Sequence, residues 1–330
     1  MMIKQHKAWK VLAVLCGLAA AAIGISINTS GVFYTVVSAD LSILRGAFAF
    51  HMTIFSLVTA ISALLIPYLI NRFDFKSYLL FSIIAASVST ALMGMSSQLW
   101  QFYLLGAVRG LTTGLFSIVL ITLIINKWFL EKNGLAISIA LAFSGVMGAI
   151  FSPIFSEIIK MIGWRYAYFG EGLPILVLCL PAYLYRFNLV PQDEGLQPYG
   201  HQTQVNNKKV SNKLVPTISL VLLIAFAVIV SFASSMTQHF PGYAQNIGLT
   251  ATLGASMLSM GMFGNIASKL VLGILSDMIG PLKATIILVT CAVTGAGLLF
   301  SKTIIVLMLG AFLWGACYGL GSVSIAVLTN

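Results

Sequence analysis

The stretch Gly273-Ile-Leu-Ser-Asp277-Met-Ile-Gly280 includes the end of one long apolar run, at 250–275, and precedes a second run at 283–301. An apolar run of about 20 residues is long enough for a helix to cross a lipid bilayer. The two runs therefore predict two membrane-spanning helices joined by a short loop with an acidic residue and two glycines. Strands of a membrane β-barrel would be about 10 residues long and would alternate in polarity, unlike either run.

The rest of the chain repeats this pattern. Of its 330 residues, 59% are hydrophobic and only 8% are charged, whereas soluble domains have about 25% charged residues. This composition excludes a soluble enzyme and a nucleic-acid-binding domain, because so few charges cannot cover a surface in water. Since helices satisfy their own backbone hydrogen bonds in lipid, we predict an all-α polytopic membrane protein. Its ten predicted spans are 10–37, 46–70, 77–96, 100–126, 134–159, 165–187, 214–239, 250–275, 283–301 and 303–328.

The positive charge of the chain follows the predicted topology. In a soluble protein, the formal net charge of +10 would suggest a polyanionic partner. With the N-terminus in the cytoplasm, 12 of the 18 Lys and Arg residues fall in cytoplasmic segments and 4 in outer segments, in accordance with the positive-inside rule. The sequence thus predicts a multi-pass protein of the cell membrane with both termini cytoplasmic, and no nucleic-acid partner.

One long polar stretch, at 188–213, interrupts the series of spans. It contains Pro191, Pro198 and a polar run from Gln202 to Lys209, so it is too polar for lipid and predicts a flexible cytoplasmic linker. We therefore predict three parts. They are an N-terminal six-helix bundle at 1–187, the linker at 188–213 and an incomplete C-terminal bundle of four helices at 214–330.

Two short motifs recur at similar offsets. The loop that begins at Pro67 is similar to the loop that begins at Gly273, 206 positions later. In span 4, Gly106-Ala-Val-Arg109-Gly110-Leu is similar to Gly315-Ala-Cys-Tyr318-Gly319-Leu in span 10, 209 positions later. Six spans separate the members of each pair, so both copies have the same orientation. A parallel repeat of this kind is typical of transporters whose two halves rock around a central site.

A family resemblance rests on these motifs. The segment Gly273–Gly280, followed by Lys283, resembles the G-x-L-x-D-x-x-G-x-x-K/R loop of the major facilitator superfamily, and Arg109-Gly110 resembles its fourth-helix motif. The run from Trp128 to Ala136 is similar to the monocarboxylate porter and oxalate/formate antiporter branch of that superfamily. The resemblance implies two helical bundles around a central cavity.

The chain also departs from the superfamily pattern. The first-half loop has Pro67 and Asp74 where the pattern has glycine, and Asn71 where it has aspartate. The superfamily has twelve spans, so the resemblance implies that this chain lacks the last two.

Two cations fall inside predicted spans, Arg109 in span 4 and Lys269 in span 8. A cation in lipid costs at least about 2.5–3.5 kcal/mol on insertion scales, so each should face a cavity or a partner. The resemblance implies that Lys269 contacts a substrate carboxylate. Asn265 lies one turn earlier, and Asn28 replaces a lysine that is frequent in the porter branch. These four residues form the predicted substrate-binding set.

Other interpretations of the two cations remain open. Lys269 could extend to the cytoplasmic face with its charge in water. Arg109 could bind backbone carbonyls and fix span 4 against span 1, or take part in proton coupling.

Glu171, about six residues inside span 6, is the candidate for proton coupling, because a carboxylate in the membrane can carry a proton. The alternative is an ion pair with Arg165 at the outer interface. Glu157 and Lys160 predict an interfacial pair, since they are three residues apart on one helix. For conformational gating, the resemblance implies the acid of the second-half loop, its two glycines and a cation of the first-half loop. These residues are Asp277, Gly273, Gly280 and Arg72.

Span 7 ends in an unusually polar run. It either lines the central cavity or eases the packing of helices. The run contains Ser231, Ser234, Ser235, Thr237, Gln238 and His239.

Together these residues predict a secondary active transporter of small organic anions, either monocarboxylates or dicarboxylate-like molecules. It would work by alternating access, with a proton or a counter-anion as the coupling partner. The alternative is a truncated, transport-inactive or sensor-like membrane protein. An enzyme is disfavoured because the 4 histidines are widely separated and no zinc or phosphate-binding motif is present. The 4 cysteines are isolated in apolar runs, so we expect no metal, disulfide or cofactor.

Overall fold

The structure is a computed structural model that describes residues 7–200, 217–301 and 303–324. In these ranges the regular structure is helical, apart from one isolated bridge between Phe129 and Tyr199. Ten of these helical segments are long and apolar enough to cross a membrane. This result confirms the predicted fold class and the ten predicted spans.

Six of the spans are single unbroken helices with apolar outer faces. On span 2, Leu57, Ile61 and Leu64 expose 61%, 59% and 80% of their surface. Their spacing puts them on one face of the helix, and such a face is stable against lipid rather than water. Spans 2, 3, 5, 6, 8 and 9 are the helices Arg45–Arg72, Phe75–Leu92, Asn133–Ile162, Trp164–Leu184, Ala251–Ile279 and Pro281–Leu298.

The other four spans, 1, 4, 7 and 10, are interrupted. When the spans are counted in successive groups of three, the first span of each group is the interrupted one. This regularity extends the internal repeat seen in the sequence. Span 1 comprises Lys7–Ala19, the π-helical turn Ala20–Ile25 and Gly31–Asp40, and span 4 comprises Leu99–Gly114 and Ile118–Trp128. Span 7 comprises Thr217–Ser235, the 3-10 turn Met236–His239 and Phe240–Asn246, and span 10 comprises Ile304–Trp314, Ala316–Gly319 and the π-helical turn Leu320–Ser324.

The break in span 1 follows from its polar residues 26–30. The hydroxyls of Ser26 and Thr29 donate hydrogen bonds to backbone carbonyls five and four residues earlier, at 3.1 and 2.7 Å. Side chains of this type compete with the helix for backbone groups. Non-helical backbone is tolerated at membrane depth only where protein covers it, and both Asn28 and Thr29 are fully buried.

The spans pack as two groups that meet along a seam. Span 2 packs on span 4 and span 3 on span 6, whereas span 5 packs on span 8 and joins the first six spans to the last four. We call the membrane face where span 1 begins, at Lys7, the first face. The face where the span ends, at Asp40, is the second face.

Residues 188–200 form a strap across the first face rather than the flexible linker predicted for this part of the chain. Trp128 Nε1 donates to the carbonyl of Asn188 at 3.1 Å, and Tyr199 N donates to the carbonyl of Trp128 at 2.8 Å. Glu194 forms an ion pair with Lys7. The strap thus ties the ends of spans 1 and 4 together. The rest of the predicted linker lies outside the described residues, and the division at 1–187, 188–213 and 214–330 stays a prediction.

Candidate functional site

The seam between spans 5 and 8 depends on two glycines of span 5. A Cβ atom added to Gly145 would lie 2.6 Å from Ile266 Cγ1, and one added to Gly148 would lie 2.8 Å from the Cβ of Asn28 and 2.9 Å from Met262 Cγ. Only glycine permits so close an approach. Spans 1, 5 and 8 therefore meet at Gly145 and Gly148.

Lys269 lies in this seam. It is only 5% exposed, and its Nζ donates to the carbonyl of Leu141 on span 5 at 3.3 Å. Its ammonium group therefore does not extend to the water at the first face. Among the described side chains, no carboxylate lies within 4.0 Å of the Lys269 ammonium group.

Two buried amides lie beside this lysine. Asn28, in the break of span 1, donates from Nδ2 to the carbonyl of Ser144 at 3.0 Å. Asn265 is 1% exposed, and its Nδ2 lies 3.9 Å from Met262 Sδ. The structure therefore brings together three of the four predicted substrate-binding residues, one from span 1 and two from span 8, against backbone carbonyls of span 5.

Gln238 of span 7 closes the second-face side of this cluster. Its Oε1 accepts hydrogen bonds from Gly31 N at 3.2 Å and from Ser30 Oγ at 3.3 Å, and its Nε2 donates to Tyr318 OH at 3.5 Å. Gly31 is the first residue of the second helix of span 1, where backbone N–H groups lack partners within the helix. One buried side chain thus joins the broken parts of spans 1, 7 and 10.

Sequence patterns indicated Gln238 only as part of the polar run that ends span 7. Its neighbours differ from it, because the hydroxyls of Ser234 and Ser235 bond to carbonyls of their own helix, at 2.8 and 2.7 Å. Tyr318 appeared in the sequence only as part of the repeat. Polarity identified the segment but not which of its side chains crosses to span 1.

Further contacts close the second face. Arg45 Nη2 lies 3.4 Å from His239 Nδ1 and donates to the His239 carbonyl at 3.3 Å. The rings of Tyr34 and His239 are 5.6 Å apart. In the described part of the chain, the hydrogen bonds between the first six and the last four spans run from this face down to Lys269.

Glu157 adds a contact at the same face. It lies 3.9 Å from Lys160, as the spacing predicts, and accepts a hydrogen bond from Thr252 Oγ1 at 3.0 Å. The acid therefore also joins span 5 to the start of span 8.

Arg109 lies away from the cluster, inside the first six spans. Its Nη2 is 3.1 Å from Glu171 Oε1, its Nη1 is 2.9 Å from Met93 Sδ, and its guanidinium lies 5.8 Å from the centre of the Phe55 ring. Both members of the ion pair have side chains only 2% exposed. These contacts favour a role within this group of spans over the predicted contact with substrate.

The predicted alternative pairing of Glu171 with Arg165 is wrong. Arg165 Nη1 instead donates to the carbonyls of Gly94 and Ser96, at 3.2 and 2.7 Å. Its guanidinium also lies 4.3 Å from the centre of the Trp164 ring. Arg165 therefore holds the end of span 3 against the start of span 6.

The predicted gating residues lie at the first face. Arg72 is exposed and donates to Tyr68 OH at 2.7 Å. Gly280 ends span 8 with φ +90°, a conformation that L side chains rarely adopt. A Cβ atom at Gly273 would contact nothing within 4 Å, and the side chain of Asp277 lies outside the described residues.

Asp74 caps the helix of span 3 in the first-half loop. Its Oδ2 accepts hydrogen bonds from Ser77 N at 2.9 Å and Ser77 Oγ at 3.1 Å. The backbone hydrogen bond, followed by the hydroxyl, lowers the pKa of this carboxyl below its usual value. The residue that departs from the glycine of the family pattern therefore serves as a helix N-cap.

Metal ligands do not cluster in the described ranges, where no group of three or more His, Cys, Asp and Glu side chains could hold an ion. The cysteines Cys16, Cys179, Cys291 and Cys317 are unpaired.

Broken spans around a seam with buried polar groups suggest a transport fold, and comparison with known proteins identifies it. The sequence model of the Major Facilitator Superfamily matches residues 15–330. This chain belongs to the Major Facilitator Superfamily. It is therefore a multi-pass membrane protein of a transporter family rather than an enzyme.

Curated relatives and solved structures agree with this family. The chain is 29% identical over 278 residues to the multidrug resistance protein MdtG of Escherichia coli, a match that covers 81% of this chain. The chain spans 66% of the length of that relative.

Two solved structures share the fold. A D-xylose-proton symporter has a TM-score of 0.63 at 16% identity, and the match covers 96% of this chain and 81% of the symporter. A mutant form of the nucleoside transporter NupG has a TM-score of 0.67 at 11% identity, and the match covers 97% of this chain and 82% of that transporter.

Proposed function

We propose that this protein is a secondary active transporter of small organic anions that works by alternating access. The observation that carries the proposal is the environment of Lys269. Its ammonium group is buried in the seam between the two groups of spans, and no described carboxylate lies within 4.0 Å of it. An uncompensated buried charge is costly, and a carboxylate on the substrate would supply the missing counter-charge.

The charge of Lys269 also separates substrate classes. It repels a cationic solute and gives a neutral solute no electrostatic advantage, whereas a carboxylate gains a charge-assisted hydrogen bond. The names of the similar proteins refer to multidrug resistance, xylose and nucleosides, and this lysine is the reason to propose a different substrate class here. Within the superfamily, we propose that this chain is related to the monocarboxylate porter and oxalate/formate antiporter branch, as the run from Trp128 to Ala136 suggests.

We propose that the first face is cytoplasmic and that the protein lies in the cell membrane with both termini inside the cell. Among the described cations, eight lie towards the first face and three towards the second, which supports this orientation through the positive-inside rule. The first-face set is Lys7, Lys10, Arg72, Lys76, Lys127, Lys132, Arg186 and Lys283, and the second-face set is Arg45, Lys160 and Arg165. The hydrogen bonds of the second face then correspond to a state closed to the outside.

Coupling to a proton or to a counter-anion is proposed to involve Glu171. Protonation of Glu171 would remove the counter-charge of Arg109 and loosen the contact between spans 4 and 6. In proteoliposomes, a pH gradient that drives wild-type uptake but not uptake by Glu171→Gln supports proton coupling. Uptake driven only by preloaded unlabelled anion supports exchange.

The test of the substrate class is uptake by reconstituted protein of a labelled carboxylate, a nucleoside and a cationic dye. Wild type is expected to take up the carboxylate, and Lys269→Ala is expected to lower kcat/KM about 10- to 100-fold, the equivalent of one charged hydrogen bond. The matched control Lys160→Ala removes an exposed lysine and should leave uptake unchanged.

Two results would contradict the proposal. Uptake of the nucleoside or the dye without uptake of the carboxylate would assign another substrate class. Uptake of no solute by folded, reconstituted protein would favour the alternative, a transport-inactive membrane protein.

A further inference from the structure

Two amide oxygens of the cluster have no hydrogen-bond partner among the described residues. They are Oδ1 of Asn28 and Oδ1 of Asn265, and the two side chains are 0% and 1% exposed. The Nδ2 of Asn28 donates to a backbone carbonyl, which fixes the orientation of this amide because its oxygen could not make that bond. Buried acceptors are almost always paired in folded proteins, so two unpaired acceptors in one cluster require an explanation.

Both amides lie about one helical turn from Lys269 along the spans. Asn265 and Lys269 are four residues apart on one helix, so their side chains share a face and are separated by about 6 Å along the axis. Asn28 and Lys269 bind the carbonyls of Ser144 and Leu141, which are one turn, about 4.5 Å, apart on span 5. A single small molecule can therefore reach all three groups.

The chemistry of the cluster defines what such a molecule must carry. An ammonium group only donates hydrogen bonds and attracts an anion, whereas an amide oxygen only accepts. A plain carboxylate would pair with Lys269 and leave both oxygens without a donor. Amino groups would supply donors, but their positive charge would lie beside Lys269. Neutral hydroxyl groups supply the donors without that repulsion.

We propose that the substrate is a small hydroxylated carboxylate, with its carboxylate on Lys269 and one hydroxyl on each of the oxygens of Asn28 and Asn265. This inference rests on the proposed transport of organic anions and narrows it to acids with two hydroxyl groups. A site built to bind a hydroxyl discriminates strongly against an analogue that lacks it, because its own buried polar groups are then left unpaired.

The test is a series of three acids on one carbon skeleton: propionate, lactate and glycerate, with zero, one and two hydroxyl groups. Labelled uptake is measured for each acid in proteoliposomes of the wild-type protein. Each added hydroxyl is expected to raise kcat/KM about fivefold or more, the usual effect of satisfying one buried acceptor.

Two variants connect the preference to the amides. Asn28→Leu and Asn265→Leu keep the approximate volume and remove the oxygen, so each is expected to reduce the ratio of glycerate to propionate uptake about fivefold or more. The control Asn246→Leu changes an exposed asparagine at the end of span 7 and should retain the wild-type ratio.

The wild-type series decides the question even where a variant does not fold. Equal uptake of the three acids, or a preference for propionate, would overturn the inference and leave the proposed anion transport intact. Failure of all three acids to enter, while a neutral solute enters, would overturn the proposed function and this inference with it.

Discussion

The ion pair between Arg109 and Glu171 provides the sharpest test of how the first six spans are held together. Glu171→Gln keeps the size of the side chain and an oxygen for Arg109, but removes the negative charge. For unit charges 3.1 Å apart, Coulomb's law at the effective dielectric constant of about 20 that suits proteins gives about 5 kcal/mol. Removal of one partner from a buried pair typically costs about 3–5 kcal/mol. We therefore expect a loss of about 3–5 kcal/mol in the free energy of unfolding.

The assay is unfolding of purified protein in detergent, followed by intrinsic fluorescence, with Glu157→Gln as the matched control. Glu157 and Lys160 are 3.9 Å apart, with side chains 45% and 72% exposed, so the control should lose no more than about 1 kcal/mol. In the double variant Arg109→Met with Glu171→Gln, no charge is left unpaired, and part of the lost stability should return. A Glu171→Gln variant as stable as its control would show that the pair does not hold spans 4 and 6 together.

Three further outcomes are expected. Gly145→Val should reduce transport at least tenfold, because the new side chain meets Ile266 and separates spans 5 and 8. The control Gly170→Val should transport normally, since a Cβ atom added at Gly170 has nothing within 4 Å. Equal transport rates in the two variants would contradict the close packing of the seam. Gln238→Met keeps the volume of the side chain and removes the acceptor of the Gly31 N–H group. A cysteine that replaces Val32, a residue that is 6% exposed, should therefore react several-fold faster with an impermeant maleimide in Gln238→Met than in the presence of Gln238, whereas Gln238→Glu should leave that rate unchanged. Equal rates in the two variants would indicate that Gln238 acts by packing alone. Because hydrogen bonds lower the pKa of Asp74, its cap is present at neutral pH and is lost as pH falls through that pKa. The protection of amides at the start of span 3 against hydrogen exchange, relative to the intrinsic exchange rate at each pH, should therefore fall in acid in wild type and be low at every pH in Asp74→Ala. The same protection profile in both proteins would exclude a role for the carboxylate.

The number and order of the spans could be predicted from the sequence because hydropathy identifies the stretches of the chain that lie in the membrane. Depth does not determine which way a helix is rotated. Glu171 and Arg165 lie about 9 Å apart along one helix, and their spacing of six residues also places them about 120° apart around its axis, so they cannot face each other. The observed partner, Arg109, is 62 positions away in the sequence and on another span, and only the packing of spans 4 and 6 brings the two together.

The candidate site, like the packing of the spans, could be predicted from the sequence only in part. Lys269 and Asn265 share a helix face, so their proximity follows from the sequence alone. The position of Asn28 beside them depends on how span 1 packs against the glycines of span 5, which hydropathy does not reveal. Polar runs marked the breaks of spans 1 and 7, whereas the interruptions at 115–117 and at Gly315 lie in apolar sequence and left no comparable signal.

The strap at 188–200 has a consequence for the order in which the protein is made. Its Glu194 pairs with a lysine that lies 187 positions earlier in the chain. At about 5–20 residues per second, a ribosome reaches Glu194 roughly 10–40 s after it adds Lys7. Spans 1 to 6 have been synthesised by then, so the last segment made in this half secures the first one. We expect the first half to complete its assembly only when the strap emerges, before the last spans are made.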